Sequence, residues 1–142
     1  MKVVLDTNVL VAGLLSPFGP CGDIVRMVSA GKLTLCIDAR VLSEYHEVLS
    51  RPKFNFDQDK VAAILDYIEH HSLVVASVPL AVSLPDPDDA PFLEIAISGD
   101  ASYLVTGNNA HFPSQLCEGV EIVSPASFLR HVAKLSKRKK SR

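Results

Sequence analysis

The chain begins with Met1 followed by Lys2-Val3-Val4-Leu5-Asp6-Thr7-Asn8-Val9-Leu10. The apolar run from Val3 to Leu5 contains no turn residue, which is typical of a strand buried on both faces of a sheet. Asp6 follows that run, and ligands of open α/β sheets bind just beyond the carboxyl ends of the strands. Two interpretations of Asp6 therefore stand side by side: a cap for the helix beginning near Val9, or a functional carboxylate at the edge of the sheet.

Length and composition indicate one globular domain. The 142 residues are 48% hydrophobic and 21% charged, enough to form a full core and too few for two ordinary domains. No apolar run approaches the ~20 residues that cross a bilayer. Because the first strand begins at Lys2, we expect no secretory signal, no membrane partner and a cytoplasmic location. The three cysteines and five histidines show no spacing typical of a zinc site.

Strand-like and helix-like segments alternate along the chain. Strands are predicted at residues 3–5, 33–37, 73–78, 102–106 and 120–123, and helices at 9–15, 21–30, 38–50, from 57 onward, at 92–98 and at 125–133. Strands separated by helices form parallel sheets covered on both faces. The sequence therefore predicts an α/β fold, a three-layer α/β/α sandwich with a central parallel sheet of about five strands, over residues 1–133.

Charge is distributed unevenly. Residues 134–142 hold six of the fourteen basic residues and no acidic residue, which leaves residues 1–133 with eight basic and sixteen acidic residues, a net charge of −8. We expect 134–142 to be a basic, disordered tail that either contacts a polyanion such as RNA or an acidic partner surface, or merely keeps the protein in solution. No Lys or Arg lies between Lys60 and Arg130, although nine carboxylates do. If several of these converge, a divalent cation is the obvious counter-charge.

Two further carboxylates are predicted to face the sheet. Glu44 lies at the edge of the apolar stripe of its helix, three residues after Val41 and four before Val48. A charge there is costly unless it is paired; the alternatives are exposure to solvent or an ion pair with an arginine. Asp89 lies in the acidic loop 84–91; if helix geometry extends back to it, its bearing falls between Phe92 and Leu93, so that it faces the sheet. The alternative is that Asp88 or Asp89 caps the next helix, but one cap does not account for three aspartates in four residues.

A second polar segment follows the strand near residue 105. Thr106-Gly107-Asn108-Asn109 places a hydroxyl and two amides at the carboxyl end of that strand, although Gly and Asn are also ordinary turn residues. With Asp6, Glu44 and Asp89, the segment forms a set of oxygen ligands at one edge of the sheet. Oxygen ligands without Cys or His indicate Mg²⁺ or Mn²⁺. Such a site can activate water and stabilise charge on a phosphoryl group.

The same segments, taken together, resemble the PIN-domain nucleases. The matching stretches are residues 3–11 (VVLDTNVLV), 41–45 with Val48 and Leu49, 84–96 (LPDPDDAPFLEIA) and 101–112 (ASYLVTGNNAHF). The combination is similar to the branch of PIN proteins described as toxins of toxin–antitoxin systems, akin to VapC, and it spans about residues 2 to 130. Each stretch is only moderately specific, but their order and spacing together form a strong signal.

The resemblance implies a metal-dependent endoribonuclease that leaves a 5′-phosphate and a 3′-hydroxyl. Asp6, Glu44 and Asp89 match the first, second and third metal-binding acids of the family, and Asn8 matches a small polar residue that lines the site. Asn108 stands where many members carry a fourth acid. An amide oxygen can accept a hydrogen bond or bind a cation but brings no charge, which puts a second metal ion in doubt.

The supporting residues are expected to offset this departure in part. Asp86 borders the same edge and is favoured over Asp88 as the compensating acid, while Thr106 completes the polar lining. The expected reaction is in-line attack by an activated water molecule on an RNA phosphodiester. The resemblance also implies a homodimer and a cognate antitoxin that blocks the cleft, with a basic side chain suited to the body charge of −8.

Two other classes of protein are weighed against this one. A haloacid-dehalogenase phosphatase also begins with an aspartate after a strand, but it needs an acid two residues later, where this chain has Asn8, and a lysine that the segment between Lys60 and Arg130 lacks. The alternative that stays open is a catalytically weak or inactive PIN-like module that binds RNA or an antitoxin, which Asn108 favours.

Overall fold

In the part of the chain that the structure describes, a parallel five-stranded sheet forms the centre and six α-helices flank it. The computed structural model describes residues 1–140. The strands are β1 (Lys2–Leu5), β2 (Thr34–Ile37), β3 (Leu73–Val74), β4 (Tyr103–Val105) and β5 (Glu121–Val123). The helices are α1 (Thr7–Leu15), α2 (Pro20–Ser29), α3 (Ala39–Leu49), α4 (Gln58–His71), α5 (Ala90–Ser98) and α6 (Pro125–Lys140).

The order of the strands determines where a site can form. The sheet order is β3-β2-β1-β4-β5, and every pairing is parallel. The chain adds β2 and β3 on one side of β1 and then crosses over to add β4 and β5 on the other side. The order therefore reverses between β1 and β4, whose carboxyl ends meet where Leu5 pairs with Val105. Ligands of open α/β sheets bind at such a switch point.

Burial explains why β1 occupies the centre. Val3, Val4 and Leu5 are fully buried, as expected for a strand covered on both faces. The helix α5 packs against β1, β2 and β4, while α6 packs against β4 and against α2. The predicted three-layer α/β/α fold with about five parallel strands is confirmed.

Several element boundaries differ from the prediction, among them those of α1 and β3. The helix α1 begins at Thr7, two residues early, because the Asp6 side chain accepts a hydrogen bond from the Asn8 N–H and caps the helix. The strand β3 covers only Leu73–Val74, rather than residues 73–78. Beyond it the backbone N–H of Val78 donates to the Ser98 hydroxyl at 3.0 Å, so the chain turns toward α5 instead of continuing along β2.

The last helix is longer than the sequence pattern indicated. The domain limit at residue 133 and the disordered tail stay predictions, but the helix runs from Pro125 to Lys140, beyond its predicted end at Ala133 and through the basic segment 134–140. The physical reason is that this segment contains Lys, Arg and Leu, all good helix formers, and no Gly or Pro that would end the helix. Residues 141 and 142 lie outside the described residues.

Across residues 1–140, no single helix is long and apolar enough to cross a membrane. Helices α1 and α2 pass that test only as a pair bent by 104°, and both contribute buried side chains to the core. The three cysteines, Cys21, Cys36 and Cys117, are free thiols.

Candidate functional site

Asp6 and Thr106 meet at the switch point of the sheet. The Thr106 hydroxyl donates a hydrogen bond of 2.8 Å to Asp6 Oδ2, across a separation of 100 residues in sequence. Asp6 Oδ1 accepts from the Asn8 N–H at 3.4 Å, and Thr106 Oγ1 accepts from the Asn108 N–H at 3.0 Å. Both side chains are buried, with Asp6 6% exposed. Asp6 is thus both the cap of α1 and an oriented carboxylate, so the two interpretations of this residue are compatible.

Glu44 is placed beside Asp6 by the way α3 attaches to the sheet. Its carboxylate accepts a hydrogen bond from the Thr7 hydroxyl, and it forms no ion pair among the described residues. The next residue, Tyr45, is fully buried, and its hydroxyl donates to the Leu5 carbonyl at 2.6 Å. Burial raises the pKa of Tyr45 far above its ordinary value, and the negative charges of Asp6 and Glu44 add to that rise. Tyr45 therefore stays neutral and anchors α3 to the end of β1.

Asp89 enters from the opposite side, at the start of α5. Its side chain is 13% exposed, and Asp89 Oδ2 lies 3.0 Å from His111 Nδ1. Burial raises the pKa of Asp89, the charges of Asp6 and Asp86 raise it further, and the contact with His111 opposes them. Asp89 occupies the N-cap position of α5 without a side-chain capping bond. Asp86 caps a different element, the 3₁₀ turn Pro87–Asp89, by accepting from the Asp88 N–H at 3.0 Å.

Asp6, Glu44 and Asp89 border a single cleft of about 260 Å³. The cleft is lined by polar and acidic residues from β1, α1, α3 and the 84–91 loop, together with a small apolar and basic rim: Asp6, Thr7, Asn8, Glu44, Val48, Arg51, Lys53, Phe54, Asp88, Asp89 and Phe92. The structure therefore brings Asp6, Glu44 and Asp89 to one cleft from three separate segments. Asn8, also predicted, is exposed at the same place.

One set of potential metal ligands beside the cleft includes a residue that the sequence did not predict. The ligand atoms of Asp86, Asp89 and His111 lie within 4.8 Å of one another. The other such set among residues 1–140 is exposed on α4, and neither set contains Asp6 or Glu44. Asp6 and Glu44 thus border the cleft next to the Asp86–Asp89–His111 group rather than within it.

Comparison with known proteins decides the family. The family model described as PIN domain matches residues 2–110, more than half of the chain. The chain belongs to the PIN domain family. Among solved structures, it is similar to VapBC2 from Rickettsia felis bound to a DNA fragment from their promoter, with a TM-score of 0.51 and 15% identity over 87% of this chain and 98% of the other. A comparison with curated proteins found no significant match.

Asn108 lies next to Thr106 and outside the lining of the cleft. Its backbone N–H supports Thr106, but its side chain makes no hydrogen bond among the described residues and does not line the cleft. His111, three residues further on, contacts Asp89 instead. Sequence reasoning missed His111, although the residue lies inside the quoted 101–112 stretch. The available signal was a potential ligand three residues after the position of the missing acid.

One of the nine carboxylates between Lys60 and Arg130 is paired with an arginine away from the cleft. Glu94 is buried on α5, and its Oε1 pairs with the Arg40 guanidinium at 2.8 Å, while Oε2 accepts from the Leu80 N–H at 2.9 Å. Arg40 also pairs with Asp38 at 2.7 Å. The carboxylates between Lys60 and Arg130 are therefore neutralised in part by a basic residue from α3, which a count along the sequence does not reveal.

The remaining carboxylates of this PIN domain suit a divalent cation. Asp6, Asp86 and Asp89 are close enough for the first and second to raise the pKa of the third, and Arg40 does not reach them. Carboxylate oxygens with one imidazole form a donor set that divalent ions such as Mg²⁺ and Mn²⁺ accept. Bringing a cation to this cleft would relieve the mutual repulsion of these groups.

Proposed function

We propose that this PIN domain is an endoribonuclease that hydrolyses RNA phosphodiesters with Mg²⁺ or Mn²⁺, as the toxin of a toxin–antitoxin pair. The observation that carries this proposal is that Asp6, Glu44 and Asp89, from three separate segments, line one cleft at the switch point of the sheet. Burial raises the pKa of Asp89, and the charges of Asp6 and Asp86 raise it further; this repulsion among carboxylates supports a bound cation. The similarity in fold to a VapBC structure supports the part of the proposal that concerns a toxin–antitoxin pair.

The proposed ligands are Asp6, Glu44 and Asp89, with Asp86 and His111 extending the set on the side of Asp89. A divalent cation held by these groups would neutralise charge on a phosphodiester and lower the pKa of a water molecule. The imidazole of His111 favours Mn²⁺ over Mg²⁺, because Mg²⁺ prefers oxygen ligands.

The neighbouring residues hold these ligands in position. Thr106 fixes the Asp6 carboxylate by donating to Oδ2, and Thr7 does the same for Glu44. Tyr45 fixes the distance between α3 and β1 through the Leu5 carbonyl. Because these supporting groups belong to strand ends and buried helix faces, the carboxylates are preorganised before an ion or substrate arrives.

The proposed partners follow from charge and exposure. A cognate antitoxin would block the cleft by placing a basic side chain among the carboxylates. A homodimer is consistent with the exposure of Phe18 and Leu15, 96% and 57%, at the connection of α1 to α2. Light scattering of the purified protein and of Phe18→Ser measures the mass, and an unchanged monomeric mass for both would rule the dimer out.

A nuclease assay on labelled single-stranded RNA tests the proposed function. We expect cleavage with Mn²⁺ or Mg²⁺ that is lost in EDTA and in Asp6→Asn. The matched control is Asp59→Asn, an exposed aspartate in the first turn of α4, which should leave cleavage unchanged. Cleavage by a folded Asp6→Asn protein would refute the assigned role of Asp6. No cleavage by the unmodified protein with either ion would favour the alternative, a PIN-like module that binds RNA or an antitoxin without hydrolysis, in line with the uncharged Asn108.

A further inference from the structure

The cleft has a basic rim that the acidic site does not use. This rim segment, residues 51–56, follows α3 and forms a 3₁₀ turn at Pro52–Phe54. The turn is closed by Asn55 in the left-handed region, with φ of 50°, whose N–H donates to the Pro52 carbonyl at 3.1 Å. The Phe54 and Phe56 rings stack with centroids 5.3 Å apart and an interplanar angle of 12°. The rim segment is therefore a defined structure rather than a loose connection.

Lys53 and Arg51 are the two cations that line the cleft, and they differ in their partners. The Arg51 guanidinium forms a two-point ion pair with the Glu47 carboxylate at 3.0–3.1 Å. Lys53 forms no ion pair among residues 1–138, and its ammonium lies 5.1 Å from the centroid of the Phe54 ring. The cation–π contact holds the charge at the rim. Because the Lys53 ammonium has no ion-pair partner among these residues, it can bind an anion at the rim of the cleft.

The charge of the site creates a need for such a contact. An RNA strand carries one negative charge per phosphate and is repelled by Asp6, Glu44, Asp88 and Asp89, which border the same cleft. A cation at the scissile phosphate does not neutralise the neighbouring phosphates of the strand. Basic side chains at the rim provide that neutralisation and set the direction of the backbone.

We propose that Lys53, assisted by Arg51, binds a phosphate of single-stranded RNA next to the scissile bond and so guides the strand into the acidic cleft. This inference rests on the proposed function, since it assigns the substrate path of the same cleft. A single strand is the proposed class, because its flexible backbone can bend so that one phosphodiester enters the cleft of about 260 Å³. Lys53 binds the backbone, so it contributes affinity without sequence preference.

A substitution at Glu47 tests the proposal in the other direction, because it should strengthen RNA binding rather than weaken it. The Glu47 side chain is 62% exposed and does not line the cleft, and its charge competes with phosphate for Arg51. The variant Glu47→Gln should free the Arg51 guanidinium and tighten RNA binding. Structural damage does not mimic a gain of affinity.

The experiment measures binding of labelled oligouridylate by fluorescence anisotropy in Mg²⁺, over a series of salt concentrations, in an Asp6→Asn background that suppresses cleavage. We expect Lys53→Gln to weaken binding about two- to five-fold, the range of an exposed ion pair, and to reduce the magnitude of the salt slope by about 0.7. Glu47→Gln should tighten binding about two-fold. The matched control Lys60→Gln, an exposed lysine of α4, should change neither.

The outcomes separate this inference from the proposed function. Unchanged affinity and salt slope in Lys53→Gln would overturn the RNA path, even if the unmodified protein cleaves RNA. Absence of cleavage together with the expected changes in binding would refute the nuclease and retain the RNA contact. If Lys53→Gln instead loses binding to polyglutamate while oligouridylate binding is unchanged, the rim is a site for an acidic protein segment, and the proposal is wrong.

Discussion

The hydrogen bonds of Asp6 predict that two substitutions at this position will have the same effect on activity and different effects on stability. Asp6→Ala removes the cap of α1, since the Asn8 N–H loses its acceptor, and it leaves the Thr106 hydroxyl without its acceptor at a buried position. Asp6→Asn keeps a polar group at both places and removes the charge. Both variants should lose cleavage.

The size of the difference follows from the two lost interactions. Loss of an N-cap costs about 1 kcal/mol, and a buried hydroxyl without its partner costs about 1 kcal/mol at the low end of its range. Asp6→Ala should therefore be about 2 kcal/mol less stable than Asp6→Asn. In a domain of this size, that corresponds to a Tm lower by about 8 °C. Asp6→Asn should be at least as stable as the unmodified protein without metal, because it removes a charge that repels Asp89.

Urea unfolding monitored by circular dichroism, in EDTA, measures the free energies of unfolding of the three proteins. Equal stability of Asp6→Ala and Asp6→Asn would refute the reasoning, because it would mean that neither hydrogen bond contributes to the folded state. A parallel titration with Mn²⁺ provides the functional readout. A ligand at about 100 times its Kd raises the free energy of unfolding by about 2.7 kcal/mol. We therefore expect Mn²⁺ to raise the Tm of the unmodified protein clearly, and to raise the Tm of Asp6→Asn much less.

Three other predictions concern the residues that support the site. First, burial and the neighbouring carboxylates raise the pKa of Asp89 above its ordinary value, so the folded chain binds this proton more tightly than the unfolded chain. In EDTA, the free energy of unfolding should therefore fall as pH rises through the raised pKa. Urea unfolding at several pH values should show a smaller fall for Asp89→Asn. Second, Tyr45→Phe leaves the buried Leu5 carbonyl without its 2.6 Å donor and should lower stability by about 1–2 kcal/mol, which a thermal melt detects; an unchanged Tm would contradict the anchoring role. Third, Arg40→Gln removes the cation from the buried Glu94 carboxylate and should lower the free energy of unfolding by about 1–2 kcal/mol. This is less than for a fully buried ion pair, because Arg40 is half exposed. A urea midpoint equal to that of the unmodified protein would argue against this ion pair.

Much of the fold was accessible from local patterns. The buried strand before Asp6, the alternation of strands and helices and the caps at Asp38 and Asp57 depend on residues within a few positions of one another. Such patterns fix the class of fold because periodicity and capping act over one or two turns. The end of α6 was predicted less well, since a basic segment without a stop residue is compatible with either helix or disorder.

The sequence by itself determined that Asp6 follows a buried strand, that Glu44 lies at the margin of an apolar helical stripe and that Asp89 lies in an acidic loop just before a helix. Only the tertiary structure decided which groups meet there. His111 reaches Asp89 across 22 residues, Arg40 removes Glu94 from the acidic set across 54 residues, and Lys53 lies at the rim of the same cleft. The reason is physical: a position on a helix or strand is set by nearby residues, whereas a contact between elements depends on how whole faces pack and on which charges find partners in space.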